Sequence, residues 1–308
     1  MVRIAMKQLL EAGAHFGHQT RRWNPKMIPF IYTKRKNIHI IDLQQTLRIF
    51  REVLAKVTEV ASTGAKFLFV GTKKQAAEAI EREAKRCGMF YVSTRWLGGM
   101  LTNYATISKS IDKMRRMETL ETDGTVARMG NKEAKRFRKE LLRLQQMLSG
   151  IRDMKRLPDM LVIIDMKREL TSVMEAQKLK VPVLGILDTN CDPDWATYGI
   201  PGNDDAIRAI ALYLKTIADA ILEGQAIHQQ KLQEAEKAAV DASSAGAKFD
   251  EGAAEAAAIA AQSAQSAQPP APAPAAPVAA SVSSEPSVAV AVAEEKSPFV
   301  PLPGEQKV

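Results

Sequence analysis

Short apolar runs without polar alternation recur along the chain: Ile38–Ile41 (IHII), Phe67–Val70 (FLFV), Phe90–Val92 (FYV), Leu161–Ile164 (LVII) and Val183–Leu187 (VLGIL). Runs of this kind suit strands covered on both faces of a parallel sheet. Helix-period segments lie between and after them. Leu43–Val60 repeats apolar residues at Leu47, Phe50, Leu54 and Val57, and Lys74–Arg86 is charged, alanine-rich and stopped by Gly88. Asp205–Leu222 carries one stripe through Ile207, Ile210, Leu214, Ile217 and Ile221. Strands alternating with helices predict a doubly wound α/β sheet with right-handed crossovers.

From Thr106 to Leu157 the strand signal stops. One helical stripe uses Ile107, Ile111, Met114 and Met117, and a second uses Phe137, Leu141, Leu144, Leu148 and Ile151. The second has the 4-3-4-3 spacing of a short coiled-coil seam, and the neighbourhood of Gly124 and Gly130 reads as a turn. Past about Gln230 the chain turns Ala/Glu/Gln-rich, then passes through PPAPAPAAP, and such composition predicts a largely disordered tail. Lys231–Ala260 has the character to extend the preceding helix. The expected organisation is therefore an α/β body over 1–105 and 158–228, a coiled-coil hairpin inserted at 106–157, and a low-complexity tail over 229–308.

Charge changes the picture more than composition does. Residues 1–230 hold 38 of the 43 basic residues and 25 of the 35 acidic ones, a net of +13 masked by an acidic tail. A body that basic expects a polyanion, since each phosphate contact releases counterions. The hairpin region alone carries 14 basic and 7 acidic residues, densest at MRRM and KRFRK. A solvated coiled-coil face is the competing explanation there. No long uncharged apolar run predicts a membrane span, and the start lacks the pattern of a secretory or transit peptide. Cys87 and Cys191 lie far apart, which suits a reducing cytoplasm and excludes a disulfide framework or CxxC knuckle.

Candidate chemistry is sparse. FLFVGTKKQA, residues 67–76, places Gly71 and two lysines between a strand and a helix, but it lacks GxxxxGK[ST], and GxGxxG is absent too. Such a helix start still attracts one phosphate, which an RNA backbone can supply. RWLGGMLTN, residues 95–103, reads either as a base-stacking Trp96 or as a tight turn anchored by a buried one. No GxSxG elbow surrounds any serine. His15, His18 and the acidic group Asp188, Asp192, Asp194, Asp204 and Asp205 admit a divalent cation near His18, Asp188 and Asp204, although capping and turn roles suit the same residues. HQTRRWNPKMIPFIYTKRKNIH interleaves cations with aromatics, the pattern that grips phosphates while stacking on unpaired bases.

LLEAGAHFGHQTRRWNPKM, NIHIIDLQQT, FLFVGTKKQA, RWLGGMLTNYATI, LPDMLVIID, EAQKLKVPVLGILDTNCDPD and IPGNDDAIRAI, taken in order, resemble the bacterial small-ribosomal-subunit protein two family over roughly residues 5–222. The resemblance implies a flavodoxin-like parallel sheet with an inserted coiled-coil hairpin, no enzymatic activity, no cofactor and no homo-oligomer. It implies a cytoplasmic ribosomal place between head and body of the small subunit, bound to ribosomal RNA. The implied neighbour is the large OB-repeat small-subunit protein, which such members help recruit. WATYGIPG, Ser93–Thr94 and the long tail depart from the family pattern. The residues expected to contact RNA are Arg21, Arg22, Trp23, Lys26, Lys34, Arg35, Lys36, Lys73, Arg95, Arg115, Arg116, Lys135 and Arg136, with no catalytic or metal residue assigned. Two readings compete with this one: a nucleotide-binding enzyme using Gly71–Lys74 with Asp188 and Asp204, and an interaction module recruiting another protein.

Overall fold

The apolar runs become strands and the amphipathic segments become helices wherever both faces find cover. The computed structural model describes residues 4–264. In chain order its elements are α1 (Met6–Ala12), β1 (Phe16–Gln19), β2 (Ile31–Arg35), β3 (Ile38–Ile41), α2 (Leu43–Ala61), β4 (Phe67–Val70), α3 (Lys74–Arg86), β5 (Phe90–Val92) and α4 (Tyr104–Thr122). There follow α5 (Asn131–Leu148), β6 (Met160–Ile163), α6 (Leu170–Lys178), β7 (Val183–Leu187), β8 (Tyr198–Pro201) and α7 (Ile207–Ala264). The chain divides into two units, one from Met1 to Ser244 and one from Ala245 to Val308.

Five strands pair in parallel in the order β5-β4-β6-β7-β8. Counted along the sheet's own strands this is 2-1-3-4-5, the flavodoxin-like doubly wound order. Alternate side chains of each strand enter opposite layers. Phe67, Phe69, Val162, Leu184 and Ile186 pack beneath α2, α3 and α7. Leu68, Val70, Leu161, Ile163, Val183 and Leu187 face the other way, into a cluster shared with α4, α5 and α6. The stripe Ile107, Ile111, Met114 and Met117 of α4 is buried in that second cluster, with Leu141 and Leu148 of α5. The apolar seams of the two helices are thus continuous with the cover of the sheet.

The structure corrects two assignments. Ile38–Ile41 does not join the parallel sheet; it is the centre of a small antiparallel sheet ordered β1-β3-β2. His39 and Ile41 are buried while Ile38 and Ile40 are half-buried, the one-sided burial that an antiparallel sheet permits. The fifth parallel strand is instead Tyr198–Pro201, whose glycine and proline hide it from a propensity reading. It sits at the sheet edge, the place where a residue without an N–H is tolerated in a strand. The stretch 229–264, expected as tail, continues α7, whereas 265–308, on which the rest of that expectation falls, lies outside the described residues.

Candidate nucleic-acid interface

The antiparallel sheet concentrates the basic and aromatic residues of the N-terminal segment. β2 and β3 are joined by the two-residue turn Lys36–Asn37, both residues left-handed, with φ of 48° and 60°. This is the conformation of a tight hairpin turn that follows the natural strand twist. The turn folds Lys34 and Lys36 over Trp23, and with Thr20, Asn37 and His39 they line a cavity of about 420 Å³. Trp23 and His39 rings lie 5.2 Å apart, tilted by 38°. Burial, and then the Lys34 ammonium, hold the His39 pKa below its ordinary value, so the imidazole is neutral at pH 7. Both His39 ring nitrogens are buried without a hydrogen-bond partner among the described residues. The result is a small chamber with an aromatic wall, a polar ring edge and two ammonium groups at its rim.

Around it, Arg21, Arg22 and Arg35 are exposed and form no ion pair with another described residue. Lys26 is exposed but held by Asp192 at 2.9 Å and by Asp194. The structure places Lys73 differently from its neighbours in the sequence. It caps the start of α3 with its ammonium turned inward, 2.8 Å from Asp204, 2.5 Å from Asp205 and 3.5 Å from Asp165. Burial works against that charge, and the carboxylates overcome it, raising the Lys73 pKa.

Those carboxylates mark the carboxyl edge of the parallel sheet. Asp165 follows β6, Asp188 follows β7, and Asp204 and Asp205 follow β8. β1 reaches them because Gly17 has no side chain: a Cβ there would lie 2.6 Å from Cγ2 of Thr189. His18 on β1 donates its backbone N–H to Oγ1 of Thr189 at 2.9 Å and to Oδ1 of Asp188 at 3.2 Å. Its Nδ1 lies 3.1 Å from the same carboxylate oxygen, and this neighbour raises the His18 pKa. Burial, then Asp188 and Asp165, push the Asp204 carboxyl up to about 7.

The family model described as ribosomal protein S2 matches residues 9–224. The chain belongs to the ribosomal protein S2 family. It is 51% identical over 256 residues to the small ribosomal subunit protein uS2 of Geotalea uraniireducens, covering 83% of this chain and all of that one. It is 57% identical over 230 residues to the protein of the same name from Nitratiruptor, covering 75% and 86% of the two chains. The matched span agrees with the resemblance carried by the sequence motifs, and the S2 family is structural rather than enzymatic.

Within this S2 chain the remaining expected contact residues lie apart from the Trp23 chamber. Arg95 is exposed at the start of the RWLGG loop. Arg116, Lys135 and Arg136 are exposed on α4 and α5 without ion pairs among the described residues. Arg115 is partly engaged, donating to the carbonyl of Arg152 at 2.6 Å and lying 3.4 Å from Asp153. The sequence reading missed His39 and Thr20 as partners of Trp23, and Asp165 as a member of the acidic cluster. The pairing of β1 with β3, extended by the Thr20 N–H donating to the Asn37 carbonyl at 2.9 Å, brings the first set together, and no local spacing announces it.

Proposed function

We propose that this chain is a structural constituent of the small ribosomal subunit in the cytoplasm and binds ribosomal RNA through its N-terminal sheet and the basic faces of α4 and α5. The observation that carries the reading is the Trp23 chamber: its aromatic wall suits an unpaired base, and Lys34 and Lys36 suit its phosphates. The relatives' names place those proteins in the same subunit. Arg21, Arg22, Arg35, Arg95, Arg116, Lys135 and Arg136 add contacts to backbone and folded shape, with Lys26 and Arg115 contributing beside their carboxylate neighbours. Lys73 acts within the fold as counter-charge to Asp204. α4 and α5 form the coiled-coil hairpin insertion of the body, and the large OB-repeat protein is the proposed protein neighbour.

Filter binding of the full chain to small-subunit ribosomal RNA across a salt series tests this. Replacing Lys34 and Lys36 by Ala should flatten the log–log salt slope by about 1 to 2, as expected for roughly 0.7 to 0.9 counterions per lost phosphate contact. Trp23→Ala should weaken binding by about 1–3 kcal/mol with the slope retained. Unchanged slope and affinity in both variants would remove the chamber from the interface.

A further inference from the structure

The parallel sheet reverses its winding between β4 and β6. From β4 the chain crosses to β5 on one side, and on its return it reaches β6 on the other. The helices that follow the two strands lie on opposite faces, α3 in one apolar layer and α6 in the other. Their divergence leaves a crevice outside the carboxyl ends of the strands, the place where open α/β sheets hold ligands. In this chain the crevice is a cavity of about 470 Å³ lined by Lys73, Lys74, Gln75, Arg168 and Ile207. Lys73, Lys74 and Gln75 follow β4, Arg168 follows β6, and Ile207 is the first residue of α7.

The charges at this cavity are divided. The Lys73 ammonium is committed to Asp204 and offsets Asp165 and Asp205 beside it. Lys74 and Arg168 are exposed and form no ion pair with another described residue. Arg168 is nevertheless held in place. Its Nε donates to Oγ1 of Thr72 at 3.0 Å, and the Thr72 N–H donates to Oε1 of the buried Glu169 at 2.9 Å. The two terminal guanidinium nitrogens remain for a ligand, in the fork that suits a phosphate. Ile207 is 62% exposed at the same cavity. A bare phosphate has no use for that surface, whereas a phosphate carrying a ring can cover it. We propose that this crevice binds one nucleotide unit, with its phosphate between Lys74 and Arg168 and its base over Ile207. A free mononucleotide and an unpaired nucleotide of an RNA strand present the same chemistry to these residues. The S2 family is structural, so the unit is held and not turned over. The crevice uses none of the residues of the Trp23 chamber, and it stands whether or not that chamber contacts RNA.

Calorimetric titration of the full chain tests this with three probes: adenosine monophosphate, inorganic phosphate, and an RNA trinucleotide without terminal phosphates. The monophosphate or the trinucleotide should bind at one equivalent per chain, and inorganic phosphate more weakly than the better of the two. Lys74→Ala and Arg168→Ala should each weaken binding about tenfold, as for the loss of one charged hydrogen bond. Lys85→Ala, which removes an equal charge at the far end of α3, should retain it. Ile207→Ser should narrow the gap between the nucleotide probe and inorganic phosphate. Preference for the monophosphate assigns a free nucleotide and preference for the trinucleotide assigns an RNA strand; either supports the site. The replaced side chains are exposed, so the variants should keep the parent Tm, and thermal melts check that they do. Saturation by neither nucleotide probe at roughly 1 mM overturns the proposal. Full retention of binding in both Lys74→Ala and Arg168→Ala also overturns it, and places the nucleotide elsewhere on the chain.

Discussion

The carboxylate of Glu175 organises a whole loop. It accepts hydrogen bonds from the indole N–H of Trp96 at 3.1 Å, the N–H groups of Gly99, Leu101 and Thr102 at 2.8, 2.9 and 3.1 Å, and the Thr102 hydroxyl at 3.2 Å. RWLGGMLTN is therefore a turn anchored by a buried Trp96, and of the two readings open for that tryptophan the structural one holds. The tight turn was legible from the glycine pair; its anchor on α6 was not, because a glutamate remote in sequence gives no local sign of what it will accept. Burial opposes the charge of Glu175, and the donors led by Leu101 N–H and Trp96 overcome it, holding its pKa below the ordinary value. A depressed carboxyl pKa stabilises the fold above the unfolded value and loses that stabilisation as pH falls through the folded one. Glu175→Gln turns an amide donor toward N–H groups, so urea melts at pH 7 should show a loss of about 2–4 kcal/mol, in the range for breaking buried charged hydrogen bonds. In an acid series the gap between variant and parent should narrow. A gap independent of pH would mean that the charge is not what the loop requires. Cys87 and Cys191 behave as small buried hydrophobes, their thiols pushed up to about 11 and about 12 by burial.

At the scale of elements, periodicity worked where a face is covered along its whole length. Lys74–Arg86 is a helix over the expected span because Ala76, Ala79, Ile80 and Ala84 present one buried face, joined by Glu83 in its 2.7 Å pair with Arg86, while Lys74, Glu78, Arg82 and Lys85 face water. It failed for β1, β2 and β8, short strands whose polar, glycine or proline residues carry no alternation and which exist because a neighbour supplies hydrogen bonds. Joints between elements are equally invisible in sequence. Gly150, in the turn after α5, lies so close to β5 that a Cβ would sit 2.1 Å from the carbonyl oxygen of Tyr91. Gly150→Ala should therefore cost about 1–3 kcal/mol through backbone displacement. Gly130, the N-cap of α5, meets nothing within 4 Å of such a Cβ, and Gly130→Ala should cost no more than about 1 kcal/mol, the N-cap preference of Gly over Ala. Equal midpoints for the two variants in chemical denaturation would contradict the close packing of α5's end on β5.

For the whole molecule, charge is distributed against itself. The full chain carries +8, and residues 245–308 contribute three basic and seven acidic residues, so a chain ending at Ser244 carries +12. If the body binds RNA through phosphates, removing residues 245–308 should tighten binding severalfold at low salt. Because screening shortens to about 3 Å at 1 M salt, the difference should vanish there. A tail effect that survives high salt would point to a direct contact instead. The sequence by itself determined the parallel α/β class, the inserted helices, the basic body with an acidic tail, and the family, because buried periodicity, net charge and long motifs are properties of residues in order. Only the tertiary structure decided that IHII builds a separate antiparallel sheet and that Lys73 turns inward to carboxylates. It alone set the distances among His18, Asp188 and Asp204, which the sequence reading had grouped, and brought Trp23 to His39. Strand pairing and crossover topology join residues far apart in sequence, and a buried charge's partner is set by that geometry and not by its neighbours in the chain.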